Sequence, residues 1–147
     1  DSMFVVIIGS TRKASQSEKV GRYIAAQLKN TDIISLCELN LPLWNEENAE
    51  NCQQWPAISR ILSKATAFIM ITPEWDGMAS PAIKNFFNYC RQQELAHKPA
   101  LLVAVSSGQG GSYPIAELRM SSYKNSKVCY LPEQVIVIHA EELLSLI

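Results

Sequence analysis

The stretch Phe4-Val5-Val6-Ile7-Ile8-Gly9-Ser10-Thr11-Arg12-Lys13-Ala14-Ser15-Gln16-Ser17 turns from five apolar residues into a loop of hydroxyls and cations. A run rich in Val and Ile with no polar alternation reads as a strand buried on both faces, the habit of parallel sheets. Beyond it, Val20, Tyr23, Ile24, Gln27 and Leu28 recur at helical spacing, which predicts a helix over residues 17–29. Strand, polar loop and helix in this order set Ser10, Thr11, Arg12, Lys13, Ser15 and Ser17 at a helix N-terminus. Unpaired backbone amides and the positive end of the helix dipole make such a place suited to an anion. Hydroxyls and amides can each take one oxygen of a phosphate monoester, with Arg12 supplying charge. A polar surface loop is the competing reading of the same residues.

The same succession repeats outward from this unit. Strand-like runs cover residues 3–8, 32–36, 66–72 and 100–106, and a fifth lies within 127–138. Helices are expected over about 57–65, with Ile58, Ile61, Leu62 and Ala65 inward, and over about 113–122. Another starts near Pro81, capped by Ser80, with Ile83, Phe86, Phe87 and Cys90 as its inward stripe. Pro73 is expected to end the third strand. Residues 37–54 read as a long connection, and 141–147 as a short helix or a frayed end, with a longer C-terminal helix short or missing. Alternating apolar strands and helices imply an α/β fold. The expectation is a single flavodoxin-like domain over residues 1–147, a three-layer sandwich around a five-stranded parallel sheet in the order 2-1-3-4-5. Ligands then belong at the carboxyl ends of the strands, beside the switch point.

Composition narrows the function. Hydrophobic residues make up 48% of the 147, enough for a core and too many for a disordered chain. Thirteen Lys and Arg against fourteen Asp and Glu leave a net charge of −1, so no global field favours nucleic acid or an anionic membrane. No apolar run approaches the roughly 20 residues of a membrane span, and no basic or long apolar leader precedes Met3. Cys37, Cys52, Cys90 and Cys129 form no C-x-x-C pair, and His97 and His139 no metal spacing. Reduced thiols, a cytoplasmic location and no metal site are expected.

Two further loops are unusual. Thr72-Pro73-Glu74-Trp75-Asp76-Gly77 follows the third strand and can present amides and an aromatic face to a planar heterocycle. Trp75 capping the core is the alternative. Ser106-Ser107-Gly108-Gln109-Gly110-Gly111 follows the fourth strand, and its glycines permit close backbone approach to a ligand or a tight turn. Its amides could face negative charge developing on a bound ring. Neither a Walker A loop nor G-x-G-x-x-G is present. One loop for phosphate and two for a flat ring together describe a flavin mononucleotide (FMN) site.

The chain resembles the NADPH-dependent FMN reductases, the flavodoxin-like quinone, azo and chromate reductase group. G-S-x-R-x-x-S is met by Gly9, Ser10, Arg12 and Ser15, with Ser17 where an Asn is common. P-E-Y-N and the following L-K-N read Pro73-Glu74-Trp75-Asp76 and Ile83-Lys84-Asn85, and the Gly-rich loop is followed by Leu118-Arg119. The resemblance implies that Ser10, Arg12, Ser15 and Ser17, with Thr11 in the same loop, hold the FMN phosphate. It implies that Pro73, Glu74, Trp75, Asp76 and Gly77 border the ring, and that Ser107, Gly108, Gly110 and Gly111 lie near its pyrimidine end. It further implies NAD(P)H as electron donor, a quinone-like, azo, metal-oxyanion or flavin acceptor, and a homodimer or dimer of dimers. No side chain need act as acid or base, because the flavin carries the chemistry.

Two departures stand out, Trp75 for Tyr and Asp76 for Asn. A carboxylate beside the ring would lower its reduction potential, and Asp76 is the one the motif singles out. His97, His139 and Arg119 read as structural, and Lys84 and Asn85 as capping, subunit-contact or ligand residues. A non-enzymatic flavin carrier and a degenerate homologue acting as an interaction module remain as alternatives. A receiver domain would need carboxylates where Gly9-Ser10 stand.

Overall fold

A computed structural model describes residues 1–147. Five parallel strands form the sheet: β1 (Phe4–Ile8), β2 (Thr31–Ser35), β3 (Ala67–Trp75), β5 (Pro99–Val105) and β6 (Cys129–Val137). Their order is β2-β1-β3-β5-β6, and a two-residue β4 (Met78–Ala79) pairs antiparallel with the end of β3. With β4 set aside, this is the expected 2-1-3-4-5 arrangement. Helices α1 (Gln16–Gln27) and α9 (Ala140–Leu144) cover one face. On the other lie α4 (Trp55–Lys64), α5 (Pro81–Tyr89) and α7 (Ser112–Ser121). The central strands divide their side chains accordingly. Val5, Ile7, Phe68, Met70 and Leu102 join one core, while Val6, Ile8, Ile69, Ile71 and Val103 join the other. This two-sided burial explains the uninterrupted apolar runs.

Several boundaries differ from expectation. The connection 37–54 contains two short helices, α2 (Leu36–Leu39) and α3 (Glu46–Asn51), the latter capped by Asn45. On α1, Val20 is buried and Ile24 and Leu28 pack against the core as expected, whereas Tyr23 and Gln27 are exposed, and Ser17, Glu18 and Gly21 complete the inward face. The tail is not frayed. Ala140 and Leu144 are buried against the α1 side of the sheet, and Ala140 donates its amide to Ser106 O at 3.0 Å.

Pro73 does not end β3. The strand runs through it, pairing Pro73 with Val105, and continues to Trp75. Ile71 O accepts the Gly9 amide, so alternate residues of β3 address the β1 side, and Pro73 faces that side after β1 has ended. Its missing N–H therefore leaves no ladder bond unmade. At the opposite edge, β6 is irregular. Ala100 pairs with Tyr130 and Leu102 with Gln134, so Leu131, Pro132 and Glu133 bulge out of register. Arg119, on α7, donates to the carbonyls of Pro132 and Glu133, both at 3.2 Å, rather than forming an ion pair. A short helix, α8 (Tyr123–Ser126), precedes β6, and α6 (Gln92–Leu95) precedes β5.

Candidate functional site

The carboxyl ends of β1, β3 and β5 open onto a cavity of about 300 Å³. It is lined by Ser10, Arg12, Ser15, Gln16, Ser17, Pro73, Glu74, Trp75, Val105, Ser107, Ala140 and Glu141. The structure thus brings together residues from all three predicted loops. Thr11 faces a neighbouring depression with Leu36, Leu43 and Asn85, and Asp76, Gly77, Gly108, Gly110 and Gly111 do not line the cavity.

A buried network joins the first two loops. Gly9 donates to Ile71 O at 2.8 Å, and the Ser80 hydroxyl donates to Gly9 O. Ser80 Oγ also caps α5 by accepting from Ile83 N at 3.2 Å, while its own amide donates to Thr72 Oγ1 at 3.1 Å. Thr72 and Ser80 are fully buried, so the polar atoms of both are committed to holding backbone.

In the first loop the donors stay available. Ser10 Oγ accepts from Arg12 N at 3.1 Å and Ser15 Oγ from Glu18 N at 3.1 Å, which leaves both hydroxyl protons free. Ser15 is the N-cap of α1, and the amides of Gln16 and Ser17 have no protein acceptor. Arg12 has no carboxylate within 4.0 Å. Unused amides at a helix N-terminus, hydroxyl donors and an unpaired guanidinium fit a phosphate monoester.

The second loop is a hairpin. Trp75 pairs with Met78 across Asp76-Gly77, whose φ values are 53° and 78°. Two successive positive φ angles are the signature of a type I′ turn, for which Asp-Gly is a favoured sequence. Asp76 is therefore a turn residue, exposed at the hairpin tip. From α7, Glu117 holds the hairpin by accepting from Ala79 N at 2.7 Å and Lys84 Nζ at 3.2 Å. Lys84 is thus an ion-pair partner, and Asn85 fixes the 37–54 connection by accepting from Trp44 N at 2.8 Å and donating to Pro42 O at 3.1 Å.

The third loop is closed on itself. Ser106 Oγ accepts from Gly108 N and Gly110 N, each at 3.2 Å. Glu74 Oε1 accepts from Gly111 N at 3.1 Å, and Ser106 Oγ lies 3.4 Å from Glu74 Oε2. A Cβ on Gly110 would fall 1.8 Å from Glu74 Oε2, so only glycine admits the carboxylate there. The three glycine amides expected to face a ligand are taken by the protein, leaving those of Ser107 and Gln109 without acceptors.

Gln16, Val105, Ala140 and Glu141 line the cavity without having been predicted. For Gln16, its place beside the Ser15 cap was the available signal, and its Oε1 is buried without a partner. Glu141 arrives because His139, at φ 47°, turns the chain after β6, and its amide donates to Gly108 O at 2.8 Å. Two carboxylates, Glu74 and Glu141, and one cation, Arg12, therefore line the cleft.

Elsewhere Glu94 is fully buried on α6 with both carboxylate oxygens unpartnered. Burial raises its pKa, and the nearby Arg91 and Glu94 amides and the charges of Arg91 and Lys98 offset this only in part. Burial also pushes the Cys90 thiol well up, with Glu94 adding to the effect. The four cysteines are unpaired, and no cluster of three or more His, Cys, Asp or Glu could hold a metal.

Known proteins resemble this chain in sequence and in fold. An NADPH azoreductase from a Bacillus species is 30% identical over 134 residues, spanning 90% of this chain and 75% of the azoreductase. A quinone reductase from Pseudomonas putida is 26% identical over 115 residues, 74% of this chain and 62% of its own length. The flavoenzyme NAD(P)H:(acceptor) oxidoreductase from Paracoccus denitrificans superposes with a TM-score of 0.80 at 23% identity, covering 96% of this chain and 82% of that one. Residues 3–142, which include all three loops and the start of α9, match the NADPH-dependent FMN reductases, and the chain belongs to that family.

Proposed function

We propose that this chain binds FMN as one domain and passes electrons from NAD(P)H through it to a small acceptor of the quinone-like, azo, metal-oxyanion or flavin class. The observation that carries the reading is the meeting of the first loop's unused donors with Trp75 and Ser107 around one cavity. The relatives are a named azoreductase and a named quinone reductase, which supports that acceptor range. Ser10, Arg12, Ser15 and the amides of Gln16 and Ser17 would hold the phosphate. Pro73, Glu74, Trp75 and Ser107 would border the ring. When bound, FMN supplies the two-electron chemistry, and the chain supplies orientation and electrostatics.

A cavity of about 300 Å³ is at the lower end for a small-molecule site, so the ring would extend over Trp75 toward the hairpin. There Met78 and Tyr113 are exposed, a surface that a second copy of the chain would cover. A homodimer follows as part of the proposal, as does a cytoplasmic location; no helix is long and apolar enough to cross a membrane. The test is an absorbance spectrum of the protein with added FMN. Bound flavin that bleaches anaerobically with NADH or NADPH is expected. Flavin that binds and resists both nucleotides would favour an electron carrier, and no binding would overturn the proposal.

A further inference from the structure

We propose that Glu74, and not Asp76, is the carboxylate that sets the reduction potential of the flavin in this cleft. The inference rests on the FMN reading above. Glu74 lines the cavity, whereas Asp76 stands at the exposed tip of the hairpin with no hydrogen bond to its side chain. The Glu74 carboxylate is also fixed. Gly111 N donates to Oε1 at 3.1 Å, Ser106 Oγ reaches Oε2 at 3.4 Å, and Gly110 leaves room for both oxygens. Its two partners are neutral donors, and no cation lies within 4.0 Å, so its charge is held in place without being cancelled.

Hydride from a nicotinamide, two electrons and one proton, would add one net negative charge to a bound flavin as the nicotinamide is oxidised. A carboxylate fixed beside the cleft, against Gly110 and Gly111, opposes that added charge. Glu74 would thereby make a bound flavin a stronger reductant toward its acceptor and a weaker oxidant of the nicotinamide. Through the same bonds Glu74 fixes the third loop, so that Ser107 keeps its unused amide at the cavity edge.

The test is the midpoint potential of FMN bound to the protein, measured against a reference dye. Glu74→Gln keeps an acceptor for Gly111 N–H and removes the charge. It should raise the midpoint by about 30 mV or more, the tenfold equivalent for a two-electron couple. Asp76→Asn should shift it far less. An unmoved midpoint in Glu74→Gln, or an equal shift in Asp76→Asn, overturns the inference. If Glu74→Gln no longer holds FMN, Glu74→Asp decides: withdrawing the charge by one methylene should also raise the midpoint, and an unmoved value overturns the inference. Failure of the unsubstituted protein to bind FMN instead overturns the FMN reading itself, and this inference with it.

Discussion

The loops after β1 and β5 look alike on paper, both short, polar and leading into a helix, yet they spend their hydrogen bonds in opposite ways. After β1, the Gln16 and Ser17 amides, two hydroxyl protons and the Arg12 guanidinium are left for a ligand. After β5, the amides of Gly108, Gly110 and Gly111 are consumed by Ser106 and Glu74. The first loop is left with donors to spare, which is what the proposed phosphate site needs. The third is a finished piece of scaffold whose glycines make room for a carboxylate. A Gly-rich loop beside a candidate site need not be what grips the ligand.

The sharpest way to break this contrast is Arg12→Ala. It should weaken FMN binding by roughly 1.5–3 kcal/mol, the scale of a charge-assisted hydrogen bond, with folding stability nearly unchanged. Quenching of flavin fluorescence on titration measures it, and an unaltered dissociation constant would remove the first loop from the phosphate site. Gly110→Ala should do the reverse. Its Cβ would overlap the Glu74 carboxylate, and stability in urea should fall by about 1–3 kcal/mol. Adding Glu74→Ala should recover part of that loss, and strict additivity of the two would mean that the overlap is not the cause.

Glu94 supplies a control far from both loops. Its folded pKa is raised, so the native state holds this proton more tightly than the unfolded chain does. Its contribution to stability is full below the ordinary carboxylate value and declines as pH rises through the raised one. Glu94→Gln should flatten that decline in urea melts at several pH values and leave FMN affinity untouched. The smallest effect is expected from Glu141→Gln. Removing a carboxylate that shares the cleft with Arg12 should tighten FMN binding by about 0.3–1 kcal/mol, and less at high salt. Equal affinities at low salt would place Glu141 outside the field of the phosphate.

The central strands were legible because burial on both faces leaves a plain trace, as in Phe4–Ile8, and their order followed from the alternation of five strands with helices in one domain. The first loop was legible for the same local reason, since cap, hydroxyls and cation are neighbours in the chain. Pro73 misled because a strand's tolerance for proline depends on whether an adjacent strand is still present, which no local window reveals. Asp76-Gly77 was readable as a hairpin turn once β3 was allowed to continue past Pro73. In the sequence Glu74 is visible only as a member of a motif. That its side chain fills the space of a Gly110 Cβ depends on a contact across 36 positions, beyond any spacing rule. Ala140 and Glu141 reach the cleft through the hydrogen bonds of the third loop, again a tertiary matter.

The irregular stretch of β6 has a consequence for how this molecule lives among its own kind. A sheet's last strand offers a ladder of unused amides and carbonyls to any chain that drifts past. Here that strand carries exposed Leu131 and Val135, which would make a regular edge adhesive. Instead Pro132 has no N–H to offer, the bulge breaks the alternation, and Arg119 occupies the carbonyls of Pro132 and Glu133. A passing strand could bond to only a few residues before meeting this break, the kind of interruption that blunts edge-to-edge pairing.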